Sequence, residues 1–77
     1  MVSKRGILVY RGCNTCRSLI SKGMCKKELC LEITTPVGKE VARRANISRV
    51  PACVEIDTKN GKVRKCSIDQ YLRKYLG

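Results

Sequence analysis

The sequence predicts an α/β fold of element order βαβαββα, a mixed four-stranded sheet with helices packed on it. Two observations carry that expectation. Apolar runs at residues 7–10 and 29–33 enclose a stretch whose apolar positions follow a helical period, which is the βαβ pattern of two parallel strands joined by a crossover helix. Further on, Asn60-Gly61 lies between two strand-like segments, and Asn-Gly is a strong hairpin signal because both residues accept positive φ.

Taken in order, Ile7-Leu8-Val9-Tyr10 is continuously apolar, as expected of a strand buried on both faces, and it ends at Arg11-Gly12. From there the apolar positions fall at Cys16, Leu19, Ile20 and Met24, so the first helix begins at the Cys13-Asn14-Thr15-Cys16 segment and stops at Gly23. Leu29, Leu31 and Ile33 alternate with Cys30 and Glu32 in the second strand, which Thr34-Thr35-Pro36 closes. Val37, Val41, Ala42 and Ala45 form the stripe of a second helix ending near Asn46, a residue that tolerates the left-handed conformation. Residues 53–57 and 62–66 are the arms of the hairpin. Ser67 is placed to cap a last helix whose buried face is Ile68, Tyr71, Leu72, Tyr75 and Leu76.

A chain of 77 residues encloses one core, so it is read as a single domain, one that buries only about 60% of its unfolded surface. Tyr10, Tyr71 and Tyr75 are its only aromatics, which makes the core aliphatic and thin. Chains of this size commonly add disulfides or a metal, and six cysteines keep both open. Seventeen basic against six acidic residues give a formal charge of +11, which favours acidic partners. The basic residues are spread from Lys4 to Lys74 without forming a tail. A nucleic-acid binder would show a charged stripe and exposed aromatics for stacking, so nucleic acid is not the expected partner, and a solvated monomer is. The apolar run after the basic start is too short for a signal core, and no stretch reaches membrane-spanning length, so the expected location is cytoplasmic, away from membranes.

The chemistry concentrates in Cys13-Asn14-Thr15-Cys16, where a strand ends and a helix begins. A thiol there faces unpaired backbone N–H groups and the positive end of the helix dipole, both of which favour thiolate over thiol. Arg11 and Arg17 add positive charge in sequence. Cys13, at the mouth, is expected to attack as nucleophile, and Cys16, one turn into the helix, to resolve the mixed disulfide. A Cys-x-x-Cys in a βαβ unit points to redox chemistry of the thioredoxin kind.

On Gly12-Cys13-Asn14-Thr15-Cys16 and Ile47-Ser48-Arg49-Val50-Pro51-Ala52, the chain resembles the glutaredoxin and thioredoxin family over nearly its whole length, its size being closer to glutaredoxins. The resemblance implies a thioredoxin-like fold and a thiol–disulfide oxidoreductase without a permanently bound cofactor or metal. It implies that the Val50–Pro51 bond is cis, that the Val50 backbone pairs with a bound peptide or glutathione beside Pro51, and that Arg49 sits at the rim with Arg11 near the site. Ser67 and Asp69 occupy the place where glutaredoxins hold the γ-glutamyl end of glutathione. Protein disulfides or glutathione are the implied substrates, with glutathione or a reductase as electron donor.

Two other readings of the cysteines stand beside this one. Cys13, Cys16, Cys25 and Cys30 form C-x₂-C-x₈-C-x₄-C, four thiolates that could wrap one structural zinc. A continuous helix between the pairs opposes it, since that would hold Cys13 and Cys25 about 18 Å apart. Cys30 is expected to be a small buried hydrophobe, with Cys25 exposed and able to join Cys30 or a partner thiol. In the hairpin, a two-residue turn at Asn60-Gly61 would set Glu55 rather than Cys53 opposite Cys66, so a bridge between those cysteines is not expected.

Overall fold

The protein's structure is a computed structural model describing residues 3–77; Met1 and Val2, which open the basic start, lie outside them. Along the chain run β1 (Ser3–Val9), α1 (Asn14–Ser21), α2 (Met24–Lys27), β2 (Leu29–Glu32), α3 (Pro36–Arg44), β3 (Ala52–Asp57), β4 (Val63–Cys66) and α4 (Asp69–Tyr75). The strands form one sheet of order β2-β1-β3-β4. β1 is parallel to β2 and antiparallel to β3, and β3 is antiparallel to β4, which makes the mixed four-stranded sheet that the spacing predicts.

Side chains alternate across a strand, so β1 supplies both faces of the sheet. Ile7 and Val9 join Cys16, Leu19, Met24, Cys53 and Tyr71 in the core on one side, beneath α1 and α4. Leu8 joins Val41, Ala45 and Val54 in the core on the other side, beneath α3. Ile7, Leu8, Leu19, Met24 and Val54 are fully buried, and each such side chain contributes about 1.5–3 kcal/mol by leaving water. The core is aliphatic apart from Tyr71 and the sulfurs.

β1 begins earlier than the apolar run because its polar start pairs with the far end of β3. Arg5 stands opposite Glu55 and forms an ion pair with it at 3.1 Å. The first helix ends at Ser21, and Gly23, at φ 90°, turns the chain so that Met24 opens a further one-turn helix with its side chain in the core. This α2 is an addition to the expected order, and its four residues are too few to show a period. Thr35 caps α3, its Oγ1 accepting from the Gly38 N–H at 3.1 Å and donating to the Glu32 carbonyl at 2.7 Å. Gly38 is where α3 crosses the end of β2 most closely, since a Cβ there would lie 1.9 Å from the Glu32 carbonyl oxygen. α3 ends at Arg44 with Ala45 as its C-cap, and Asn46 beyond it takes φ 56°.

The hairpin departs from the expected register by two residues. Asp57 accepts the Gly61 N–H at 2.7 Å through its carbonyl and the Lys59 N–H at 2.9 Å through its side chain, while its own N–H donates to the Lys62 carbonyl at 2.8 Å. The loop is therefore four residues long and needs positive φ only at Gly61, at φ 73°. Glu55 then stands opposite Arg64, and Cys66 opposite Cys53. The last helix also starts later than expected. Ile68 occupies its N-cap position, with its carbonyl accepting from the Tyr71 and Leu72 N–H groups, so Ser67 does not cap it.

Candidate active site

After β1 the chain makes a tight turn in which the Cys13 N–H donates to the Tyr10 carbonyl at 3.0 Å. That turn delivers Cys13 to the N-cap of α1 with extended backbone angles, the conformation an N-cap requires. Its sulfur performs the cap, accepting the Cys16 N–H at 3.3 Å. On its other side the Cys13 thiol points at the Val50 carbonyl oxygen, 3.6 Å away. Cys13 is half-buried, whereas Cys16 is 0% exposed within the core.

The two thiols are pushed in opposite directions. A hydrogen bond from the Cys16 thiol, followed by backbone N–H groups at the helix start, holds the Cys13 thiol below the ordinary value of 9.0. Burial, with the Cys13 hydrogen bond behind it, pushes Cys16 up to about 11. A half-buried thiol of lowered pKa one turn above a buried one of raised pKa suits a nucleophile and a resolving group. No charged side chain is buried among the described residues, so a proton leaving Cys16 has no buried carboxylate to receive it.

The arginines expected beside the thiol are placed otherwise. Arg11 is 85% exposed and donates to the Glu32 carboxylate at 3.3 Å, a pairing that follows from β2 lying beside β1 with Val9 opposite Glu32. Arg17 is exposed on α1. The depression of the Cys13 thiol arises from Cys16 and the backbone, with no contribution from either guanidinium.

The Val50–Pro51 peptide is cis. Val50 packs against both halves of the core, and Pro51 opens onto a groove of about 210 Å³ between the loop before β3 and the end of β4. Arg49, Pro51, Lys65, Cys66 and Ile68 line it, so its charged lining is wholly basic. The structure thus brings Cys13, Cys16, Val50, Pro51 and Arg49 to one end of the sheet. Ser67 and Asp69, exposed on either side of Ile68, are outside that lining. Lys65 was not singled out by the sequence; only the three-dimensional register places it at the groove.

The remaining four cysteines are paired. Cys25 is bonded to Cys30 and Cys53 to Cys66, with Cα separations of 5.4 and 4.9 Å. The Cys53–Cys66 bond corrects the sequence reading, which did not expect it, whereas Cys25–Cys30 is the pairing left open for Cys25 and replaces the reading of Cys30 as a plain buried hydrophobe. Cys30 is a disulfide partner because α2 swings Cys25 back beside β2, and the Cys53 bridge exists because the four-residue loop sets Cys66 opposite it. The zinc arrangement would need Cys13, Cys16, Cys25 and Cys30 around one point, and here the last two are spent on each other; no group of three or more ligand-type side chains suited to a metal occurs among the described residues. Nor is any described helix long and apolar enough to cross a membrane.

No protein-family model matches the sequence, and no curated protein does. Among solved structures, the solution structure of a thioredoxin from Thermus thermophilus matches with a TM-score of 0.56, covering 96% of this chain and 71% of that one at 16% identity. The chain has a thioredoxin-like fold. A disulfide-forming set of cysteines on such a fold is compatible with thiol–disulfide redox chemistry.

Proposed function

We propose that the protein is a thiol–disulfide oxidoreductase in which Cys13 attacks a substrate disulfide and Cys16 releases the reduced product. The observation that carries this reading is the placement of the two thiols, Cys13 half-buried at the N-cap of α1 with its sulfur accepting the Cys16 N–H at 3.3 Å, and Cys16 sealed in the core one turn on. The Cys13 thiolate forms a mixed disulfide with one substrate sulfur and expels the other. Cys16, already one turn away, then attacks the Cys13 sulfur, giving a Cys13/Cys16 disulfide and the second substrate thiol. Val50, with its carbonyl turned to Cys13, and Pro51 form the wall against which an extended substrate would lie.

The basic groove favours acidic protein disulfides or glutathione, and glutathione or a reductase would restore the dithiol. The chain acts as a monomer, with no permanent cofactor. A cytoplasmic working place would require Cys25–Cys30 to resist cytosolic thiols. Reduction of a protein disulfide by dithiothreitol, timed with and without the chain, tests the activity. Acceleration that disappears in Cys13→Ser supports it, and no acceleration by the folded wild type overturns it. Replacing dithiothreitol by glutathione then reads the donor.

A further inference from the structure

Three sheet pairings place four residues in one transverse row: Cys30 on β2 opposite Ile7 on β1, Ile7 opposite Cys53 on β3, and Cys53 opposite Cys66 on β4. The row lies on the face covered by α1 and α4, and all six cysteines pack in the core on that side. Depth below the mouth can be counted along each element. Cys16 is three residues down α1 from Cys13, about 4.5 Å by helical rise. Cys53 is the second residue of β3, three residues on from Val50. Cys13 and the Val50 carbonyl meet at the mouth at 3.6 Å, and Cys16 and Cys53 both belong to the buried core cluster on that face. Both are sealed from solvent, at 0% and 1% exposure. Cys66, the other sulfur of that disulfide, is only half-buried and lines the basic groove with Lys65 and Arg49.

We propose that the Cys53–Cys66 disulfide is a second redox centre, exchanging electrons inside the chain with Cys13 and Cys16 and presenting Cys66 to disulfide or thiol partners at the groove. The inference rests on the oxidoreductase reading for its use, though not for its chemistry. The Cys16 thiolate attacks the Cys53 sulfur; the Cys53–Cys66 bond breaks, a Cys16–Cys53 bond forms, and Cys66 leaves as a thiolate that takes a proton at the groove. The Cys13 thiolate then attacks the Cys16 sulfur and expels Cys53, which is protonated in turn. Two electrons and two protons pass from the first pair to the second, and no outside oxidant or reductant enters. The half-exposed Cys66 is the better-solvated leaving group, which sets the direction of the first attack. Such exchange gives the chain two ports, one at Cys13 and one on the far side of Pro51.

The test traps the intermediate. In a Cys13→Ser/Cys66→Ser chain, with Cys25–Cys30 left intact, mild oxidation by diamide under native conditions followed by peptide mapping is expected to find a Cys16–Cys53 bond at a rate independent of protein concentration. A Cys16→Ser/Cys66→Ser chain, which keeps Cys13 at the mouth and Cys53 beneath it, is expected to form its bond at least tenfold more slowly. Far-UV circular dichroism matching the wild type is required of both chains; if either does not fold, the same mapping on wild type trapped by acid during partial reduction must find the Cys16–Cys53 species. Absence of that bond in the folded chain or in trapped wild type overturns the relay, as does equal bonding by Cys13. Neither assay uses a substrate, so a relay can fail while disulfide reductase activity stands, and the reverse.

Discussion

The Cys13 thiol lies 3.6 Å from the carbonyl oxygen of Val50, a residue 37 positions further along the chain. That contact joins the start of α1 to the loop before β3, and it depends on β1 and β3 pairing side by side from Ser3 opposite Asp57 to Leu8 opposite Ala52. The reactive sulfur is thereby set between the Cys16 N–H and the Val50 carbonyl, and several consequences can be measured.

The first concerns pH. Thiolate is the reactive form, and a thiol held below 9.0 has more of it at neutral pH. Alkylation of reduced protein by iodoacetamide should therefore label Cys13 with a midpoint below 9.0, and Cys16 only as pH approaches about 11. Because the Cys16 thiol is the largest cause of the Cys13 depression, Cys16→Ala should move the Cys13 midpoint upward, and Cys16→Ser, which keeps a hydrogen-bond donor, should move it less. A midpoint unmoved by both would contradict this assignment.

Removing the disulfides should cost stability according to the loop each closes. Cys53 and Cys66 are 13 residues apart, and Cys25 and Cys30 only 5. Chain-entropy arguments give about 3 kcal/mol for the first and about 2 kcal/mol for the second. Urea titration of Cys53→Ser/Cys66→Ser and Cys25→Ser/Cys30→Ser chains checks both the size and the order.

Gly38→Ala should be among the most damaging small substitutions outside the core proper. Its new methyl would meet the backbone of Glu32, which cannot swing aside as a side chain can, so α3 must move off the end of β2. An effect of about 1–3 kcal/mol follows from overpacking of this kind, read as a lowered urea midpoint. Gly12→Ala, which meets only the Tyr10 ring, should cost much less.

Steering by the groove predicts a salt dependence. Arg49 and Lys65 are its basic lining, and exposed charges are screened beyond about 10 Å at 0.1 M salt. Reduction of an acidic disulfide peptide should slow as salt rises, and Arg49→Ala/Lys65→Ala should slow it several-fold at low salt while flattening that dependence. A salt-independent wild-type rate would remove steering from the account.

Much of the fold is legible in the sequence because periodicity reports burial. Ile7, Leu8 and Val9 are buried on both faces of the sheet, and Cys16 and Leu19 fall on the core side of α1 as their spacing predicts. Gly23 and Asn46 take left-handed angles where helices were expected to end. What was not legible turned on single hydrogen bonds. Asn60-Gly61 reads as a two-residue turn, but Asp57 closes a four-residue loop, and the resulting shift of two decides whether Cys66 faces Glu55 or Cys53. The Cys25 pairing hinges on one turn of helix. Arg11 was read as a neighbour of the thiol because it is close in sequence, yet its guanidinium follows Glu32, whose position becomes known only when β2 docks in parallel. The groove is of the same kind, since Lys65 and Pro51 meet through the register of β4 on β3.

The most direct test of the central assignment is the mixed disulfide itself. Cys16→Ser retains Cys13 at the head of α1 and removes the group that would release a bound substrate. Incubated at neutral pH with an acidic peptide disulfide and examined by intact mass and peptide mapping, it should carry one peptide on Cys13, stable until dithiothreitol is added. A folded Cys16→Ser chain that stays unmodified, or that carries the peptide on another cysteine, would contradict the assignment of Cys13 as the nucleophile.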